Sequence, residues 1–79
     1  MELFIRSLLG NAWRLHNLSD STTVEILKLL IYRKTGMYPY DQRLMRGTHE
    51  LVDDLATLGA LGVRDRETLH LHPHIRSGF

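Results

Sequence analysis

The chain contains no cysteine. That removes disulfide staples, thiolate zinc sites and cysteine nucleophiles together, and it fits a reducing compartment. Excess charge is nearly absent too. Ten Lys plus Arg stand against nine Asp plus Glu, a formal net charge of +1. A small nucleic-acid binder concentrates a larger positive excess on one face, so binding driven by phosphate contacts is disfavoured. No apolar run approaches the ~18 residues of a membrane span, and no membrane association is expected. Met1-Glu2-Leu3-Phe4-Ile5-Arg6 does not read as a charged segment leading into an apolar signal core. Internal repeats and low-complexity segments are missing. A chain of 79 residues has room for one core, and a domain this short buries only about 60–65% of its chain surface. The expected location is cytoplasmic, nuclear or both.

What is present is patterned. Met1, Leu3 and Ile5 alternate with Glu2, Phe4 and Arg6, the period of a half-buried strand. Leu9-Gly10-Asn11 is turn chemistry, and the alternation resumes at Trp13 and Leu15, which predicts a hairpin. Ser19 to Thr23 is a block of capping residues. Thr22 with Glu25 fits a capping box, and Thr23 as the cap starts the helix one residue later. The helix should run to about Thr35 and stop at Gly36, with Val24, Leu27 and Ile31 on its buried stripe. Pro39 blocks continuation. Arg43 to Met45, His49 to Leu51 and Thr68 to His72 read as strands, and 53–62 as a loop with at most one helical turn. The order β, β, α, β, β, β is α+β and not a doubly wound sheet.

Met1-Glu2-Leu3-Phe4-Ile5-Arg6, Leu8, Gly10, Asp41-Gln42-Arg43-Leu44, Glu50-Leu51, Thr57-Leu58 and Thr68-Leu69-His70-Leu71 resemble ubiquitin in the same order, over residues 1–76. Residues 77–79 form a tail that could begin a linker. The resemblance implies a β-grasp: a mixed four- to five-stranded sheet, first and last strands parallel and adjacent, one helix packed across it. The expected core is Leu3, Ile5, Trp13, Leu15, Val24, Leu27, Ile31, Leu44, Leu51, Leu58, Val63, Leu69 and Leu71. Lys28 matches a largely buried lysine of the family, with Asp53 as its acid; a buried ion pair is the expected role.

The resemblance further implies a docking patch on the exposed sheet face, at Leu8, Met45, His70 and His72, with Arg43 free to pair with a partner's carboxylate. Met adapts to differing partner shapes. His72 departs from the family's valine, and acidification is expected to weaken an apolar dock there. A second departure is the helix, where Ile26, Leu29 and Leu30 point away from the buried stripe at 100° per residue. Their expected cover is another domain of the same polypeptide, a partner, or a second copy.

His70, His72 and His74 alternate, with His49 as a fourth candidate, so zinc, nickel or copper is conceivable. Without an acidic second shell a functional metal site is not expected, nor is any cofactor. Ser, His and Asp occur without the spacing of a nucleophile, base and orienter, so an enzyme is not expected either.

The tail decides between two readings. Ubiquitin ends in Gly-Gly. Here Arg76 and Gly78 match, Ser77 replaces the first glycine and Phe79 occupies the terminus. Arg6, Asn11, His49 and Asp65 stand where ubiquitin has lysines. The expected function is a non-conjugated ubiquitin-like interaction domain, the N-terminal part of a larger protein. It would link that protein to the ubiquitin–proteasome system or regulate it. Expected partners are ubiquitin-receptor helices, proteasomal receptors, ligases or deubiquitinases. The alternative is a stand-alone modifier conjugated through Gly78 after removal of Phe79.

Overall fold

The computed structural model describes residues 1–74. Strands β1 (Leu3–Ser7) and β2 (Ala12–Leu15) form the expected hairpin. Gly10, at φ +90°, supplies the left-handed step of its turn. Helix α1 (Val24–Thr35) follows. Its cap is Thr23, whose Oγ1 accepts the Ile26 N–H at 3.3 Å. Thr22 is spent elsewhere, since its Oγ1 accepts the Ser19 N–H at 3.0 Å. Gly36 ends the helix at φ +78°, its N–H bonded to Tyr32 O at 2.8 Å. A 3-10 turn, Pro39–Asp41, leads into β3 (Gln42–Arg46), β4 (His49–Glu50) and β5 (Thr68–Pro73).

The sheet order is β2-β1-β5-β3-β4. β1 and β5 run parallel, with Ile5 opposite Leu69, and the other pairs are antiparallel. One helix packed across this mixed five-stranded sheet is the expected α+β β-grasp. Alternation sends Leu3, Ile5, Leu15, Leu44, Leu69 and Leu71 under the helix, where they meet Val24, Leu27 and Ile31. Each fully buried Leu or Ile contributes about 1.5–3 kcal/mol relative to exposure.

Two core expectations change. Trp13 is only half-buried, packed against the core margin. It lines a groove with Leu8, Leu9, Met37 and Leu71 at the end of the sheet, beside Thr35, the last residue of α1. Leu18 takes a core place that periodicity did not assign. The chain doubles back after β2, and Leu18 exchanges backbone hydrogen bonds with Met1 in both directions at 3.0 Å. Segment 53–62 contains no helix; it is tied to the start of α1 by Val24 N–H to Ala56 O and Glu25 N–H to Asp54 O, both 3.0 Å.

The partner of Lys28 also differs. Its Nζ lies 3.6 Å from Asp54, not from Asp53. Asp53 turns inward on its own segment and accepts the Leu55 N–H at 3.0 Å, so its carboxylate is already committed. The lysine side chain is 13% exposed and the Asp54 carboxylate 59% exposed, which makes this a pair at the margin rather than a sealed one.

Candidate functional site: the outer face of the sheet

The face opposite the helix is built by strand alternation. Because Leu44, Leu69 and Leu71 turn inward, Arg43, Met45, His70 and His72 turn outward. The antiparallel register sets Met45 opposite His70 and Arg43 opposite His72, so these cross-strand side chains are neighbours. The parallel register sets Arg6 beside His70 and Phe4 beside Thr68. Four of the five expected patch residues are thus brought together. The fifth, Leu8, is 65% exposed in the turn after β1 and shares the end groove with Leu9 and Trp13.

Arg43 is not free. Its Nη2 and Nε lie 3.0 and 3.1 Å from Glu50 Oε1 on the neighbouring β4. A two-residue hairpin strand holds that carboxylate beside the guanidinium, so the pairing expected with a partner is already made within the chain. Arg6 supplies the unpaired cation instead: it is exposed and meets no carboxylate among the described residues. Alternation places Arg6 outward, but its position beside His70 follows from the parallel β1–β5 pairing, which no local pattern reveals.

The register is locked at one end by a clasp that sequence reading missed. Arg46 Nε donates to Glu67 Oε2 at 2.5 Å and Nη2 to Glu67 Oε1 at 3.1 Å. The same guanidinium donates to Leu61 O and Gly62 O, both 2.9 Å. Planar bidentate pairing of this kind is directional as well as charged. The Arg46 hydrogen bond holds the Glu67 carboxyl below its ordinary value, against an opposing push from partial desolvation. The Arg46 pKa is raised correspondingly, chiefly by that same hydrogen bond. The clasp joins the end of β3 to the residue preceding β5 and so fixes Met45 against His70. Sequence separation hid it: Arg46 and Glu67 lie 21 positions apart.

Gln42 serves a similar positioning role. It is 3% exposed, and its Nε2 donates to Lys28 O and Met37 O at 2.9 Å each, tying β3 to the helix and to the loop after it.

On the helix side, Ile26 and Leu29 are exposed as expected. Leu30 is not: it is half-buried and packed against the core. It lies on the flank beside Leu27, and β2 approaches that flank. Tyr32, Tyr38 and Tyr40 form a stack with centroid spacings of 5.2 and 5.5 Å. The stack joins the helix to the 3-10 turn and extends its apolar side. The three tyrosines are not adjacent in sequence, so the stack needed the loop geometry to be seen.

His70, His72 and His74 do not assemble into a metal-holding group, and no cluster of three or more His, Asp or Glu does so among the described residues. Pro73 separates the last two, and the His74 N–H is anchored to Asp41 O at 2.7 Å. Gly78, the residue of the conjugation reading, lies outside the described residues. No helix among the described residues is long and apolar enough to cross a membrane. Residues 3–76 match the family model described as the ubiquitin family, and the chain belongs to that family.

Proposed function

For a member of the ubiquitin family with this sheet face, we propose a non-conjugated protein-interaction domain. It forms the N-terminal part of a larger protein and links it to the ubiquitin–proteasome system, or regulates it, from the cytoplasm or nucleus. The observation that carries the reading is the register that gathers Met45, His70, His72 and Arg6 on one face. Met45 offers an adaptable apolar anchor for a partner helix. Arg6 offers a cation at its margin for a partner carboxylate, while Arg43 is stiffened by Glu50 and shapes the rim. Leu8 extends the apolar surface at the turn.

The test is an amide chemical-shift titration with ubiquitin-receptor helices and a proteasomal receptor domain. Shifts clustered at Arg6, Met45 and His70, abolished by Met45→Ser, support a recruiting module that uses this face. Binding that leaves those amides still, or persists unchanged in the Met45→Ser protein, removes the reading.

A further inference from the structure

The outer side of α1 is built symmetrically about Leu29. That residue is exposed and lies nearly opposite the buried stripe of Val24, Leu27 and Ile31. Ile26 and Tyr32 stand three positions to either side of it, Glu25 and Arg33 four positions. At 3.6 residues per turn, all four fall within about 60° of Leu29 around the helix. All four are exposed. The face therefore reads acid, apolar, apolar, aromatic, base, centred on one leucine. Tyr38 stacks on Tyr32 with ring centroids 5.2 Å apart, which holds the Tyr32 ring in place before any partner arrives. A side chain fixed in advance loses less freedom on association.

Glu25 and Arg33 both lack a salt-bridge partner among the described residues. They cannot serve each other, because eight positions set them about 12 Å apart along the helix axis. Each suits the helix dipole, the acid in the first turn and the base in the last. That role alone does not require three exposed apolar side chains between them. The acidic end is reinforced by exposed Asp54, whose backbone O accepts the Glu25 N–H at 3.0 Å. The basic end is reinforced by exposed Lys34.

We propose that α1 packs antiparallel against α1 of a second copy of this chain, about a two-fold axis at Leu29. Such an axis makes the contact self-complementary. Glu25 of each copy meets Arg33 of the other, Ile26 meets Tyr32, and the two Leu29 side chains meet at the axis. The two helix dipoles then run in opposite directions, which is favourable. A parallel pair would set acid against acid and base against base, so the charges select the antiparallel one. Helices packed in this way lie about 8–10 Å apart. A helix of 12 residues is only about 18 Å long, so the contact buries less than the about 800 Å² per partner of a standard interface. The dimer is accordingly weak and forms at high protein concentration. The outer sheet face lies on the opposite side of the domain and stays open in it.

The test uses the 79-residue chain in sedimentation equilibrium from micromolar to millimolar concentration, with amide spectra over the same range. A monomer–dimer equilibrium is expected, with concentration-dependent shifts at Glu25, Ile26, Leu29, Tyr32 and Arg33. Leu29→Glu should weaken association at least tenfold with an otherwise native spectrum, because two carboxylates would face each other at the axis. Glu25→Arg and Arg33→Glu should each weaken it when tested alone. An equimolar mixture of those two variants should associate at least as well as wild type, because each chain then offers the other two opposite charges. That rescue requires the antiparallel pairing and does not follow from general stickiness. A chain still monomeric at millimolar concentration, which would leave the face to another domain or protein, overturns the proposal. So do concentration-dependent shifts at Met45 and His70 in place of α1, unchanged association of Leu29→Glu, or no preference of the two charge variants for each other.

Discussion

Leu69 and His70 are consecutive on β5, yet they belong to different problems. Leu69 is fully buried under α1 opposite Ile5, while His70 is exposed between Arg6 and Met45. One face of the sheet holds the domain together and the other is free to be recognised. In so short a chain the inner face has no spare residues, because little surface is available to bury. The outer face can therefore vary in sequence, as His72 does, without endangering the fold.

The sharpest way to break that comparison is to truncate both neighbours. Leu69→Ala should cost about 2–5 kcal/mol, a large share of a small domain's stability, read as a lower urea midpoint. A loss below about 1 kcal/mol would mean the inner face is looser than its burial implies.

The Arg46–Glu67 clasp ranks next, because it joins the two faces' framework at β3 and β5. Glu67→Gln should lower stability at neutral pH. The folded Glu67 pKa is depressed, so its contribution is fully present above the unfolded carboxylate value and is lost as pH falls through the folded one. The difference between wild type and variant should therefore shrink from pH 7 toward pH 3 in thermal melts. A difference that stays constant with pH would assign the loss to packing alone.

Lys28→Met should have a smaller effect. The pair with Asp54 is long at 3.6 Å and open to water on its acidic side, so replacing the lysine by an apolar side chain should be neutral or stabilise by up to about 1 kcal/mol. A clear destabilisation in denaturant would show that the pair matters to the fold.

The smallest expected stability effect is at His70. His70→Ala should stay within about 0.5 kcal/mol of wild type, while affinity for a partner that docks on the outer face falls several-fold in the chemical-shift titration. Loss of both together would erase the division between the faces.

Much of this architecture was legible from local pattern. Alternation in β1 and β5 named the inward residues, Gly36 marked the helix end, and the ordered matches to the ubiquitin family supplied the β-grasp. Local pattern failed where distant chain had to be placed. Trp13 kept its alternation, but it sits at the end of the sheet, where the helix finishes at Thr35, and is only half-buried. Leu30 looked outward on an isolated helix, and β2 covers it. Asp53 looked like the acid for Lys28, but its carboxylate accepts the Leu55 N–H and Asp54 pairs with the lysine instead. Arg43 looked free until β4 brought Glu50 beside it.

By itself, then, the sequence determined the elements and the stripe that must be buried, because strand and helix periods are local properties of residues two to four positions apart; the candidate patch came from the resemblance to the ubiquitin family. The tertiary structure decided the Arg46–Glu67 clasp, the tyrosine stack and the placing of Arg6 beside His70. Each depends on parallel pairing, strand order or loop return, which bring together residues far apart in the chain and leave no periodic signature.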